Sequence, residues 1–312
     1  MSNLNLPLKG SPVPSTGFRS VEAEVLCADR ISPAFVRIRL GGPGMAALGV
    51  DGPVLDQRFK LIVPDPHTGA LELPGDGPGW YREWSGLDQA RRGAMRTYSI
   101  RRQLLTPDRT EWDVDMVLHG SHAAGPASAW AETACRGDRV GVHGPARGSG
   151  PTAGQAFRPG AARDLVLAGD ETAAPAIARI LEDLPTVAPG ATGVALVEIP
   201  SAHDTPHIDV PAGMELRWLP RDGAPHGEPM TAALLESCGL PARDAAVAGE
   251  SSGDASPDMT WDVPDVAGGD RYHWIAGESS VVVALRRALV AAGTPKDSVA
   301  FMGYWRRGAP MA

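Results

Sequence analysis

The first half of the chain alternates between apolar and polar positions. Val21, Ala23 and Val25 are separated by Glu22 and Glu24, and Val36, Ile38 and Leu40 by Arg37 and Arg39. Alternation with period two predicts strands with one buried and one solvated face. Phe59 to Val63 reads as a third strand and Thr97 to Arg101 as a fourth. Trp112, Val114, Met116 and Leu118 line one face of a fifth, whose other face carries Glu111, Asp113 and Asp115; Asp138 to Val142 is the sixth. Turns rich in glycine and proline, such as Gly41-Gly42-Pro43-Gly44 and Pro74 to Gly79, separate them. Six short strands of this kind predict a small antiparallel β-barrel. One helix interrupts it at Gly125-Pro126, because proline suits the first helical position.

From Gly144-Pro145 to Pro159-Gly160 the chain has no periodicity and reads as a loop or interdomain linker. Beyond it the period changes. Leu165 to Gly169 is a short apolar run, and Ile177, Ile180, Leu181 and Leu184 then recur at helical spacing up to Pro185, read as the helix stop. Gly193 to Ile199, Glu215 to Leu219, Tyr272 to Ala276 and Val299 to Trp305 read as strands, Met230 to Cys238 and Ser279 to Ala292 as helices. This succession predicts an α/β domain with a parallel sheet covered by helices. Two domains are expected, 1–150 and 151–312, and residues 241–270, small and acidic, are expected to form a mobile surface insertion.

Composition narrows the function classes. A net charge of −8 over 312 residues argues against a nucleic-acid partner, which calls for a basic face. Cys27, Cys135 and Cys238 are distant and odd in number, which excludes a disulfide framework and a four-thiolate iron–sulfur centre. No clustered metal ligands are visible, and His203, His207 and His226 read as solvent-exposed loop residues. The start of the chain lacks the apolar core of a signal peptide, and nothing approaches a membrane span. A cytoplasmic monomer is expected. Lys60 stands out because arginine is nearly the only other cation.

The candidate chemistry lies in Arg96-Thr97-Tyr98-Ser99, His119-Gly120 and Gly125-Pro126-Ala127-Ser128-Ala129-Trp130. A flavin nucleotide needs a flat apolar wall for its ring, a hydroxyl near the ring edge, and a cation with free N–H groups for its diphosphate. On a strand Arg96 and Tyr98 share a face, so one reaches a phosphate while the other presents a ring. Ser99 supplies the hydroxyl. The open N–H groups after Gly125 favour an anion. Each segment alone is an ordinary strand or an ordinary helix start; their combination predicts a flavoenzyme.

The same segments, with Ala168-Gly169-Asp170-Glu171-Thr172-Ala173-Ala174-Pro175-Ala176-Ile177, Trp274-Ile275-Ala276-Gly277-Glu278 and Gly303-Tyr304-Trp305-Arg306-Arg307-Gly308, resemble the siderophore-interacting protein family from about Val21 to Gly308. That resemblance implies a ferredoxin-reductase-like architecture and an FAD-dependent ferric-siderophore reductase. By resemblance, Arg96, Thr97, Tyr98 and Ser99 hold FAD, with Tyr98 and Ser99 the catalytic residues at its ring. Gly120, Gly125, Ala127 and Ser128 bind its diphosphate, and His119 and Trp130 line the pocket. Lys60 and Arg306 meet the siderophore. A ferric siderophore is usually anionic, so basic groups must focus positive potential in an acidic protein, with Arg101 and Arg307 as further candidates.

Where a dinucleotide fold has its glycine-rich turn, this chain has Asp170-Glu171-Thr172, and two carboxylates beside a diphosphate weaken binding. Asp170, Thr172, Ala173 and Glu278 stand at strand ends where a donor nicotinamide would approach; the other reading is that Asp170 and Thr172 only cap the next helix. The resemblance implies NADH, NADPH or reduced ferredoxin as donor, and electrons relayed through the flavin to ferric iron, whose reduced form the chelator holds weakly. A general flavin or ferredoxin reductase and a non-catalytic siderophore-binding protein are the alternatives.

Overall fold

In the computed structural model, residues 17–118, 125–150, 154–241, 261–264 and 269–308 are described. The first sheet is built from β1 (Phe18–Arg30), β2 (Phe35–Gly41), β3 (Arg58–Val63), β4 (Ala94–Ser99), β5 (Arg102–Thr106), β6 (Arg109–Val117) and β7 (Arg139–Pro145). Its order is β4-β3-β7-β1-β2-β6-β5, all antiparallel. The seventh strand is the one the sequence hid. Thr97 to Arg101 is not one strand: Ile100 and Arg101 turn the chain from β4 at one edge to β5 at the other. β5, with its adjacent Leu104 and Leu105 and its exposed edge, has no clean alternation. The sheet curls round a core of Val25, Ile38, Leu40, Phe59, Leu61, Trp112, Val114, Met116 and Val142.

Two short helices, α1 (Trp80–Ser85) and α2 (Gln89–Arg92), lie between β3 and β4, outside this core. Trp84 of α1 packs with Ile62 and Met95 on the outer face of the sheet. α3 (Pro126–Thr133) packs on the same strand pair, and begins at Gly125 with no side chain capping it.

The second unit holds β8 (Asp164–Gly169), β9 (Thr192–Ile199), β10 (Met214–Pro220), β11 (Trp261–Asp262), β12 (Arg271–Glu278) and β13 (Val299–Trp305) in the order β10-β9-β8-β12-β13-β11. Five strands are parallel, but β11 runs antiparallel along β13, with Trp261 opposite Met302, so the sheet is mixed. This two-residue edge arises from within 241–270, the stretch expected to be a surface insertion; residues 242–260 and 265–268 fall outside the described residues. α4 (Ala174–Val187) covers one face, α5 (Glu228–Ser237) and α6 (Ser279–Ala291) the other. Pro185 does not stop α4; it sits within its last turn, and the helix runs on to Val187.

The units share a core. Ala34, Phe35 and Val117 of the first sheet join Phe157 and the buried face of α4 in one apolar cluster. Asp56, fully buried, accepts the N–H groups of Ala156 and Phe157 and the indole N–H of Trp274, tying β3's approach, the connecting segment and β12 together. Asp183 of α4 likewise accepts the N–H groups of Val54 and Leu55.

Candidate functional site

Strand parity decides what β4 presents. Arg96 and Tyr98 share a face, and Tyr98 packs with the half-buried Trp130 of α3 against the barrel core. One Arg96 Nη donates to the carbonyl of Met95 at 2.7 Å, and no carboxylate among the described residues pairs with it, so most of its donors are unspent. Beside it α3 begins openly: a Cβ at Gly125 would meet nothing within 4 Å. A guanidinium with free donors, a phenol ring on the same face and an uncapped helix start fit a flavin diphosphate and ring. Burial pushes the Tyr98 phenol above its ordinary pKa, so it stays neutral.

Other expected residues fall differently. Thr97 points to the opposite face, where its hydroxyl accepts from Lys60 at 2.8 Å. Ser128 is buried and its hydroxyl donates to Val117 O at 3.1 Å, which turns it away from the open first turn. Ala127 is buried beneath the helix start. His119 and Gly120 lie outside the described residues. Ser99 is buried and faces the Tyr304 hydroxyl of β13, which has no well-formed hydrogen bond of its own. Tyr304 thereby sets β13 of the second sheet against the end of β4.

At those strand ends Asp170 is fully buried. Its Oδ1 accepts Thr172 N at 2.9 Å and the Thr172 hydroxyl; its Oδ2 accepts Glu278 N at 2.9 Å and Trp305 Nε1 at 2.8 Å. Its carbonyl takes the N–H groups of Ala173 and Ala174. Pro175 has none to offer, so the start of α4, where a dinucleotide diphosphate would sit, is already filled from within. Glu171 is held by both nitrogens of Arg221 at 2.7 and 2.8 Å. His226, read as a solvent-exposed loop residue, is instead nine-tenths buried, its Nε2 3.5 Å from Asp170 and 3.6 Å from Glu171; His203 and His207 are exposed.

The electrostatics of this cluster divide its carboxyls. Burial, then Glu171, raises Asp170 to about 6. Burial opposes Glu171's charge, but His226 and Arg221 prevail and lower it to about 2. Burial also opposes charge on His226, and its two carboxylate neighbours lift it nonetheless. Ligand atoms of Asp170, Glu171 and His226 lie within 4.8 Å of one another, a grouping invisible in the sequence. The oxygens of Asp170 and Glu171 are committed to Thr172, Glu278, Trp305 and Arg221, whereas neither buried ring nitrogen of His226 has a hydrogen-bond partner among the described residues. Glu278 caps α6 through Ser280 N and Val281 N, and its other oxygen accepts Arg307 N at 3.1 Å. Arg306 is exposed next to it. Arg101, a candidate cleft cation, is buried and paired with Glu182 instead.

The third part is a cleft of about 280 Å³ on the outer face of the first sheet, lined by Lys60, Arg58, Trp80, His143, Phe18 and Thr97 among others. Sequence reasoning found Lys60 but missed its neighbours. Arg58 was legible, two residues back on the same face of β3; His143 was not, because only the sheet register sets it opposite Lys60.

An antiparallel sheet that carries the flavin motif, joined to a mostly parallel sheet, is the ferredoxin-reductase-like class. The ferredoxin reductase of carbazole 1,9a-dioxygenase superposes with a TM-score of 0.55 at 17% identity, over 92% of this chain and 67% of that one. Residues 24–149 match the siderophore-interacting FAD-binding domain, and residues 162–308 the siderophore-interacting protein model. A siderophore utilization protein from T. fusca is 30% identical with a TM-score of 0.67, covering 96% of this chain and 97% of that one. The ferric vibriobactin reductase ViuB of Vibrio cholerae is 27% identical over 89% of this chain and 86% of its own length. The NADPH-dependent ferric-chelate reductase of Escherichia coli is 28% identical over 91% and 92%. The chain belongs to the siderophore-interacting protein family.

Proposed function

We propose that the protein is an FAD-dependent reductase that passes electrons from NAD(P)H or reduced ferredoxin to ferric siderophores and so releases ferrous iron. The observation that carries this reading is the pairing of Arg96 and Tyr98 on one face of β4 beside the open start of α3. Arg96 and the first N–H groups of α3, after Gly125, would hold the diphosphate; Tyr98 would wall the ring, and Ser99, beside Tyr304, would border its edge. FAD, when bound, supplies the conversion of a two-electron donor to one-electron delivery. Tyr98, kept neutral by burial, excludes water from the ring face.

The donor side is built without a diphosphate cradle at α4, because Asp170 occupies it. A nicotinamide donor would therefore be held at its ring end, near Thr172, Ala173 and Glu278, and ferredoxin needs no such cradle. Lys60 and the exposed Arg306 would attract the anionic chelate. Residues 1–150 and 151–312 would be the FAD-binding and donor-side domains of a cytoplasmic monomer. The test is an absorption spectrum of the purified protein followed by anaerobic titration with NADH, NADPH and reduced ferredoxin in the presence of a ferric siderophore and a ferrous-iron indicator. Oxidised-flavin bands that bleach with a donor and recover with the siderophore, as ferrous iron accumulates, support the reading. A colourless protein that refuses added FAD overturns it.

A further inference from the structure

The helices that start at the strand ends of the second sheet are each closed by a carboxylate. Asp170 accepts Thr172 N at 2.9 Å ahead of α4, Glu198 accepts Gly227 N at 2.7 Å and Met230 N at 3.0 Å at the start of α5, and Glu278 accepts Ser280 N and Val281 N at the start of α6. Helix starts at these strand ends are where such a sheet ordinarily receives an anion. Here that face carries negative charge of its own, and its attraction for an anionic ligand depends on the cations set among the carboxylates.

Arg221, at the end of β10, is already spent: it grips Glu171 with both Nη atoms and reaches Glu198 at 3.0 Å with one of them. His226, in the loop before α5, faces the same acids. Its Nε2 lies 3.5 Å from Asp170 and 3.6 Å from Glu171, its Nδ1 4.0 Å from Glu198, and its ring meets Trp305 of β13 edge-on with centroids 5.0 Å apart. Beyond Asp170 lies Glu278 of β12, whose N–H donates to the same carboxyl, and the exposed Arg306 and Arg307 follow Trp305. Both ring nitrogens of His226 are buried without a hydrogen bond among the described residues. A neutral imidazole there leaves an N–H and a lone pair idle, whereas the protonated ring turns two N–H groups toward three carboxylates. Burial opposes that charge, but Glu171 and Asp170 outweigh it and raise the His226 pKa.

We propose that His226 is a positioning residue for the electron donor: its imidazolium offsets the carboxylates packed into the helix starts, and that offset lets the strand-end face hold the anionic diphosphate of a nicotinamide dinucleotide. With Asp170, Glu171 and Glu198 set against Arg221, the ring decides how much of the negative excess remains. Its side chain is nine-tenths buried, so it acts through its field and through Asp170 and not by contact with the nucleotide. Loss of its proton weakens donor binding and leaves the rate of electron transfer from bound donor unchanged. The inference rests on the reading of NAD(P)H as donor at these strand ends.

The test compares FAD-loaded wild type with His226→Gln, a neutral side chain of similar reach. Anaerobic stopped-flow bleaching of the flavin by NADPH, at pH 6.5 and pH 9, gives the donor Kd and the limiting rate separately, and the ratio of the two proteins cancels the nucleotide's own titration. The variant's Kd should exceed that of wild type about fivefold at pH 6.5, as one partly buried charge acting across several ångströms of protein does, and match it at pH 9, with limiting rates equal throughout. A Kd gap of the same size at both pH values marks a merely structural ring and overturns the proposal, as does no gap at either. Isothermal titration with NADP+ reads the same contrast without electron transfer. A pH-dependent gap in NADP+ affinity without bleaching by NADPH sinks the donor reading alone; bleaching with a pH-independent gap sinks the role of His226 alone; neither bleaching nor NADP+ binding overturns both.

Discussion

Arg101 of the first sheet and Glu182 of α4 meet in a two-point ion pair, Nη1 to Oε2 at 2.8 Å and Nη2 to Oε1 at 2.6 Å, with Arg101 only 1% exposed. Asp115 stands 3.8 Å from the same guanidinium, and Arg179 supports Glu182 from one turn away on α4. An arginine that looked like a substrate cation in the sequence is thus a fastener between the two sheets.

Arg101→Ala is therefore expected to destabilise the protein by about 3 kcal/mol, the low end for breaking a buried pair, because Asp115 and Glu182 are left without it. Urea unfolding followed by tryptophan fluorescence measures it. A loss under about 1 kcal/mol would mean the pair behaves as a solvent-exposed one.

Tyr98→Ala should raise the dissociation constant for FAD by about tenfold, the loss of one aromatic wall, while Tyr98→Phe retains most of the affinity. Arg96→Ala should weaken FAD further, since its donors have no other anion among the described residues. Flavin content after dialysis reads both, and retention of full FAD by both alanine variants would misplace the site.

Lys60→Ala should raise KM for an anionic ferric chelate and spare FAD content and the flavin spectrum. Since burial and Arg58 lower the Lys60 pKa, its charge is lost on the alkaline side earlier than for an ordinary lysine. KM for the wild-type enzyme should then climb with rising pH, and the climb should vanish in Lys60→Ala. Parallel KM profiles of the two proteins check it.

Asp170 gives a stability prediction with an unusual sign. Its pKa is raised from 3.8 to about 6, so the folded protein holds a proton that the unfolded chain releases at lower pH. The contribution of Asp170 is fully present below about pH 4 and is lost as pH rises through 6. Asp170→Asn removes that slope, and also costs about 1–3 kcal/mol because an amide nitrogen would face donors that the carboxylate accepts. Unfolding free energies of both proteins from pH 4 to 7 should converge as the pH rises; divergence would contradict the raised pKa.

The strand pattern located six of the seven strands of the first sheet, the fourth running two residues too far, and the helical and apolar periods located β8, β9, β10, β12, β13, α4, α5 and α6. β5 was hidden because an edge hairpin only half-buries Gln103 and Leu105 and leaves Leu104 outside. β11 was hidden because two residues have no period. In the site, what lies along one strand was readable: Arg96 with Tyr98, and Lys60 by its rarity. What depends on register or on distant loops was not. His143 meets Lys60 only across a ladder, His226 meets Asp170 only because β10 ends beside β9 and β8, and Arg101's partner lies on a helix some eighty residues away.

Asp56 has one more implication. By fastening the segment before β3 to Ala156, Phe157 and the Trp274 indole, it removes the loose joint about which the two sheets could swing apart. The spacing between the two sheets is then set when the chain folds.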